Sequence, residues 1–198
     1  SPDVIVHCAA LTDVDYCEQH PEAANRINSD VVRRLTNEAP NTKFVFISSD
    51  AVLPIDAHLP DEDVIPRPFN AYGRSKLYGE QATAASSRDS LIIRTTPVGR
   101  TLFGTPSGFV DWIYSSLNRG EKIDLFHDVL FSPITTRQLA GVIGKLIAEG
   151  VSGLWHAGSR NPVSKYDFGK QLITDLGQDL NQLRSIAISD RQFLARRS

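Results

Sequence analysis

Tyr72 and Lys76 stand four residues apart in the stretch Asn70-Ala-Tyr72-Gly-Arg-Ser-Lys76. On a helix that spacing places both side chains on one face, one turn apart. An ammonium beside a phenol favours the phenolate, so Lys76 is expected to lower the pKa of the Tyr72 hydroxyl. A tyrosine tuned in this way can give or take a proton near neutral pH, as carbonyl reduction and alcohol oxidation require. A Tyr-x-x-x-Lys pair alone is equally compatible with a solvated helix face. The upstream segment Phe44-Val-Phe-Ile-Ser48-Ser49-Asp50 adds an apolar, strand-like run that ends in hydroxyls. Strand ends of this kind are where sites form in α/β sheets.

The elements that must position these groups alternate through the first half of the chain. Asp3 to Ala9 reads as a strand buried on both faces, and the small residues Cys8, Ala9 and Ala10 at its end would let a flat ligand come close. A helix is expected from Pro21 to about Ala39, with Ala24, Ile27, Val31, Val32 and Leu35 at helical spacing and Pro40 as its stop. Asn28 lies within it. Lys43 to Ser48 is a second strand. Asp50 to Pro68 carries four prolines and reads as a long loop. A helix over Phe69 to Ala85 then carries Tyr72 and Lys76, and Leu91 to Arg94 is a third strand with Thr95 and Thr96 at its exit.

Strand, helix, strand, helix, strand implies a parallel sheet with right-handed crossovers. The expected fold class is therefore α/β: the C-terminal half of a doubly wound, Rossmann-like parallel sheet, followed by a small α/β lobe. No G-x-G-x-x-G loop occurs, and the strand ending at Cys8 would have an open apolar edge. One βαβαβ half N-terminal to Ser1 is thus expected to be absent from this chain, which alone should be inactive. The division expected is a partial dinucleotide-binding domain over 1–99 and a mainly substrate-binding lobe over 100–198, with returns to the main sheet.

In the later half, Ser107 or Gly108 can cap a helix over Phe109 to Asn118, with Phe109 and Trp112 as core residues. A strand over Lys122 to Phe126 follows, then a helix from Thr136 stopped by Gly150, a strand near Gly153, and a helix capped by Ser164. The basic tail from Arg191 to Ser198 reads as surface. A net charge of −2 gives no basis for nucleic-acid or membrane-surface binding, and no apolar run reaches membrane-spanning length. Cys8 and Cys17 have neither metal-ligand nor redox-motif spacing; Cys8 reads as a buried strand thiol, and a reducing cytoplasm is the simpler setting. His7, His20, His58, His127 and His156 are scattered, so no metal is expected.

Ser49, Tyr72 and Lys76, in that order, resemble the Ser/Thr-Tyr-Lys set of the extended short-chain dehydrogenase/reductases. The branch most similar is that of the dTDP-4-dehydrorhamnose reductases. The matching words are Pro2-Asp-Val-Ile-Val-His-Cys8-Ala9-Ala10, Asp13-Val-Asp15 with Glu18, Asn28, Ser48-Ser49-Asp50, Pro68-Phe-Asn70-Ala-Tyr72-Gly-Arg-Ser-Lys76 with Gly79-Glu80, and Arg94-Thr95-Thr96. Asp128 to Pro133 resembles a segment that borders the sugar-nucleotide pocket in that family. The resemblance implies Tyr72 as general acid, Lys76 and Ser49 as its support, and Asn28 in a proton relay. It implies NADP or NAD held by Cys8, Ala9, Ala10, Ser48, Tyr72, Lys76 and Thr95. It also implies a keto-sugar nucleotide held by Asp50, Thr96, Ser132 and Pro133, with a homodimer left open. The family's pocket aromatics are replaced by Ala51, Leu53 and Pro97, which bears on the sugar taken. Two alternatives remain on this resemblance: an NADP-binding regulatory subunit without turnover, and a sugar-nucleotide epimerase.

Overall fold

A computed structural model describes residues 2–56, 59–86, 89–104, 106 and 108–195. In chain order the elements are β1 (Val4–His7), α1 (Val14–Gln19), α2 (Pro21–Asn25), α3 (Val31–Glu38), β2 (Lys43–Ile47), α4 (Ala71–Ala84) and β3 (Leu91–Val98). They continue as α5 (Phe109–Asn118), β4 (Ile123–Phe126), β5 (Leu130–Phe131), β6 (Pro133–Thr135), α6 (Thr136–Ala148), β7 (Gly153–Ala157), β8 (Val163–Ser164), α7 (Lys165–Asp175) and β9 (Leu183–Ile186). Two compact units are formed, one from Ser1–Thr95, Val142–Ala157 and Phe193–Ser198, the other from Thr96–Gly141 and Gly158–Gln192.

In the first unit β1, β2, β3 and β7 lie side by side in that order, all parallel. The helices between successive strands supply the crossovers that parallel pairing demands. Phe44, Phe46 and Ile92 on one face of the sheet pack with Val32, Leu35 and Ala82. Among the described residues β1 pairs with β2, and its Val6 is 40% exposed. Cys8, just beyond it, is exposed rather than buried.

The helix expected from Pro21 is interrupted by a π-helical turn, Arg26–Asp30. The wider turn rotates the residues within and beyond it, so Asn28 and Ser29 face inward while Ile27 and Val31 are 39% and 37% exposed. The terminal tail is not all surface: Ala195 is buried, and its amide donates to Asp15 Oδ1 at 3.2 Å.

In the second unit β4 pairs with β9, β5 with β8, and Thr96–Val98 of β3 with β6. Ile113, Ile123, Leu125 and Ile173 form its core. Gly108, at φ 97°, precedes α5; Ser107 lies outside the described residues. Phe109 joins the core with Phe131 and Phe168, but Trp112 is 42% exposed.

Candidate active site

Helix α4 begins with two of its orphan amides satisfied. Asn70 Oδ1 accepts from Gly73 N at 2.7 Å, and Glu18 Oε2 accepts from Ala71 N at 2.7 Å. A carboxylate at this end also suits the helix dipole. The face that α4 turns inward is polar: Ser75, Lys76, Glu80 and Thr83 are buried, with glycine at 73 and 79. A methyl on Gly79 would lie 2.5 Å from both the Asn28 carbonyl oxygen and the Phe46 ring, so glycine lets α4 approach the π-helical turn and β2 closely.

Tyr72 packs against the cluster of Cys17, Ala24 and Ala71, and its hydroxyl lies within the influence of the Ser49 side chain. Ser49 Oγ also donates to Asp50 Oδ1 at 3.0 Å and accepts from Ala51 N at 3.2 Å. Burial pushes the Tyr72 phenol up to about 12; the Ser49 side chain opposes this and the Asp50 carboxylate adds to it. The net shift is thus upward, and Lys76 is not among its causes. Lys76 Nζ is spent elsewhere, donating to the Ile47 carbonyl at 2.7 Å and lying 4.2 Å from the centre of the Phe46 ring. Its ammonium is pushed down to about 8 by burial, against the opposing pull of Glu80 and then Cys8.

Asn28 is fully buried and uses both ends of its amide. Oδ1 accepts from Leu11 N at 2.8 Å, while Nδ2 donates to Leu11 O at 3.0 Å and Ser75 Oγ at 2.9 Å. Ser75 Oγ in turn donates to the Tyr72 carbonyl at 2.7 Å. Asn28 thus reaches the Tyr72 turn of α4 through Ser75.

Ser48 does not offer its hydroxyl to a ligand; Oγ donates to Glu80 Oε1 at 2.6 Å. Glu80 is paired with Arg94, Nε to Oε1 at 2.9 Å and Nη2 to Oε2 at 2.8 Å. The sequence alone does not reveal this buried network, although an Arg ending an apolar strand signals a buried partner. Thr95 Oγ1 is buried without a hydrogen-bond partner, within β3 where the residue pairs with Ala157 at the end of β7. Cys8 and Ala9, small and exposed, follow the end of β1, where strand ends of a parallel sheet receive ligands. Thr96, Ser132 and Pro133 belong to the second unit, where Thr96 pairs with Pro133. Among the described residues no cluster of His, Cys, Asp or Glu could hold a metal ion, and no helix is long and apolar enough to cross a membrane.

A Rossmann-like parallel sheet with serine, tyrosine and lysine gathered at its strand ends defines the class of protein. The chain belongs to the RmlD substrate binding domain family, whose model matches residues 1–198. It is similar to the dTDP-4-dehydrorhamnose reductase of Mycolicibacterium smegmatis, 34% identical over 194 residues, 96% of this chain and 58% of the relative. It is also similar to the probable low-salt glycan biosynthesis reductase Agl14 of Haloferax volcanii, 32% identical over 193 residues, 95% of this chain and 64% of the relative. The crystal structure of dTDP-4-dehydrorhamnose reductase from Bacillus anthracis in complex with NADP superposes with a TM-score of 0.91 at 29% identity, covering 99% of this chain and 69% of that one. The chain thus spans 58–64% of the length of these two curated relatives.

Proposed function

We propose that these residues form the catalytic part of an NAD(P)H-dependent reductase of a keto-sugar nucleotide, working in the cytoplasm. The observation that carries the reading is Tyr72 and Lys76 one turn apart on α4, with Lys76 Nζ anchored to the Ile47 carbonyl at the end of β2, two residues before Ser49. Support comes from the reductase names of the relatives and from the NADP in the Bacillus anthracis structure.

Bound nicotinamide cofactor would supply hydride to the carbonyl carbon. Cys8, Ala9, Ala10 and Thr95 are the residues proposed to hold it, with Lys76 beside them. Tyr72, protonated throughout the neutral range, gives its proton to the carbonyl oxygen. Ser49 has a single hydroxyl proton, which it donates to Asp50 Oδ1 at 3.0 Å. When Tyr72 becomes a phenolate, that proton can turn toward it, so Ser49 limits the charge that develops. Asp50, Thr96, Ser132 and Pro133 are proposed to border the sugar, and Asn28 to hold the Tyr72 turn of α4 in register.

The test is turnover of 4-keto sugar nucleotides with NADPH and NADH by the polypeptide carrying these 198 residues. Tyr72→Phe should lower kcat at least about a hundredfold, in keeping with loss of a general acid, while cofactor binding is kept. Cofactor binding without turnover, indifferent to Tyr72→Phe, would instead identify a regulatory subunit.

A further inference from the structure

We propose that Glu80 is a positioning residue of this site: its buried carboxylate, one turn from Lys76 on α4, holds the end of β2 against that helix through Ser48. The proposal rests on the reading of Ser49, Tyr72 and Lys76 as the catalytic set.

Helix α4 grips the end of β2 at two successive residues. Lys76 Nζ donates to the Ile47 carbonyl at 2.7 Å, and Ser48 Oγ donates to Glu80 Oε1 at 2.6 Å. The next residue in the chain is Ser49, whose side chain influences Tyr72. Glu80 follows Lys76 by four residues, so both project from one face of the helix. Its two oxygens are filled by Arg94 and Ser48, and Glu80 and Arg94 are 5% and 4% exposed. Three bonds hold this carboxylate in place.

The groups facing Lys76 from other elements offer no second buried anion. His7 of β1 has its imidazole pushed toward the neutral form by burial and then by Lys76 itself. Phe46 of β2 presents a ring, and Cys8 a thiol that is exposed. Glu80 is the largest of the charges that favour the ammonium. An ion pair with Arg94 alone would account for a structural role; the Ser48 bond and the Lys76 spacing tie the same carboxylate to the site.

Four variants of the polypeptide decide the matter: Glu80→Gln, Glu80→Gln/Arg94→Met, Ser48→Ala and Ser48→Thr. Lys76 is titrated through its Cε signal by NMR after lysine labelling, and kcat is followed against pH. Glu80→Gln should lower the Lys76 midpoint by about one pH unit and move the alkaline limb of kcat with it. The double variant, which leaves no buried charge unpaired, should show a shift in the same direction but smaller, since the Arg94 cation is lost with the carboxylate, and it serves where Glu80→Gln alone does not fold. Ser48→Ala should reduce kcat about tenfold with cofactor KM little changed, and Ser48→Thr should restore it. An unmoved Lys76 midpoint in a folded Glu80 variant overturns the proposal, as does wild-type turnover by Ser48→Ala. The titration needs no turnover, so a wild type that reduces no sugar nucleotide sinks the functional reading and leaves the Lys76 midpoint to judge Glu80.

Discussion

Gly73 sits between Tyr72 and Lys76, and its replacement by alanine tests the close contact on which the site depends. A methyl at that position would lie 2.1 Å from the Ala51 carbonyl oxygen and 3.0 Å from both Ala51 C and Pro68 Cβ. Alanine in a helix interior would by itself gain about 1 kcal/mol over glycine. Forcing a methyl into packed surroundings costs about 1–3 kcal/mol. The obstructing atom here is backbone, which cannot swing aside as a side-chain tip can, so the upper half of that range applies. The net loss is about 1–2 kcal/mol, or about 2–8 °C in Tm for a chain of this size. Gly144→Ala in α6, where nothing lies within 4 Å of the added methyl, serves as the control and should gain up to about 1 kcal/mol. Ala51 belongs to the short turn that Ser49 caps, so the displaced segment is the one carrying Ser49. A shift there of about 1 Å should reduce turnover by about a hundredfold. Urea denaturation and kcat measured together decide it: a Gly73→Ala protein as stable as Gly144→Ala, or as active as wild type, refutes the packing argument.

Asn28→Ala takes the acceptor from the Leu11 amide, while the Leu11 carbonyl keeps the Cys17 thiol, and should lower stability by about 1–3 kcal/mol in urea titrations, the cost of one unpaired group. Lys76→Met should stabilise the protein below pH 8, because a folded pKa of about 8 against 10.5 means that stability from this group is lost as pH falls through 8. The gain is at most about 3 kcal/mol at 1.36 kcal/mol per unit, less about 1 for the lost bond to Ile47, and thermal melts should show it fading between pH 8 and 10.5. Lys76→Arg holds its charge to much higher pH, so the fall in kcat above about pH 8 should disappear from its pH profile; a limb retained there would assign it to another group.

The frame of the first unit was legible because its strands are short apolar runs and its helices fall between them. Phe44, Phe46, Leu91 and Ile93, all buried, are the kind of residues a parallel sheet requires. Tyr72 and Lys76 were legible through their spacing, and Ser164 through its place before a helix, where its oxygen accepts from Asp167 N at 2.9 Å. Other features left weaker traces. The π-helical turn at Arg26–Asp30 shifts the buried face by part of a turn, which a period of 3.6 cannot anticipate. Helix α1 has little apolar periodicity, although Asp13, whose carboxylate accepts from Tyr16 N at 3.0 Å, was a usable start signal. Strand β9 is four residues long and owes its place to pairing with β4, some sixty residues earlier. The inward face of α4 is hidden from any hydrophobic pattern because it is built from Ser75, Lys76, Glu80 and Thr83.

Burial, and not Lys76, decides the direction in which Tyr72 is shifted. Both groups are withdrawn from water, and withdrawal disfavours whichever form is charged. The phenol therefore rises to about 12 while the ammonium falls to about 8, each moving toward its neutral form. At neutral pH the outcome is nevertheless a phenol that holds its proton beside a lysine that is still charged. This is the protonation state that donation to a carbonyl oxygen requires. Its upper limit in pH is set by Lys76, the first of the two to titrate. Whatever keeps Lys76 charged thus sets the range over which Tyr72 can act, and the nearest anchored carboxylate along the same helix face is that of Glu80.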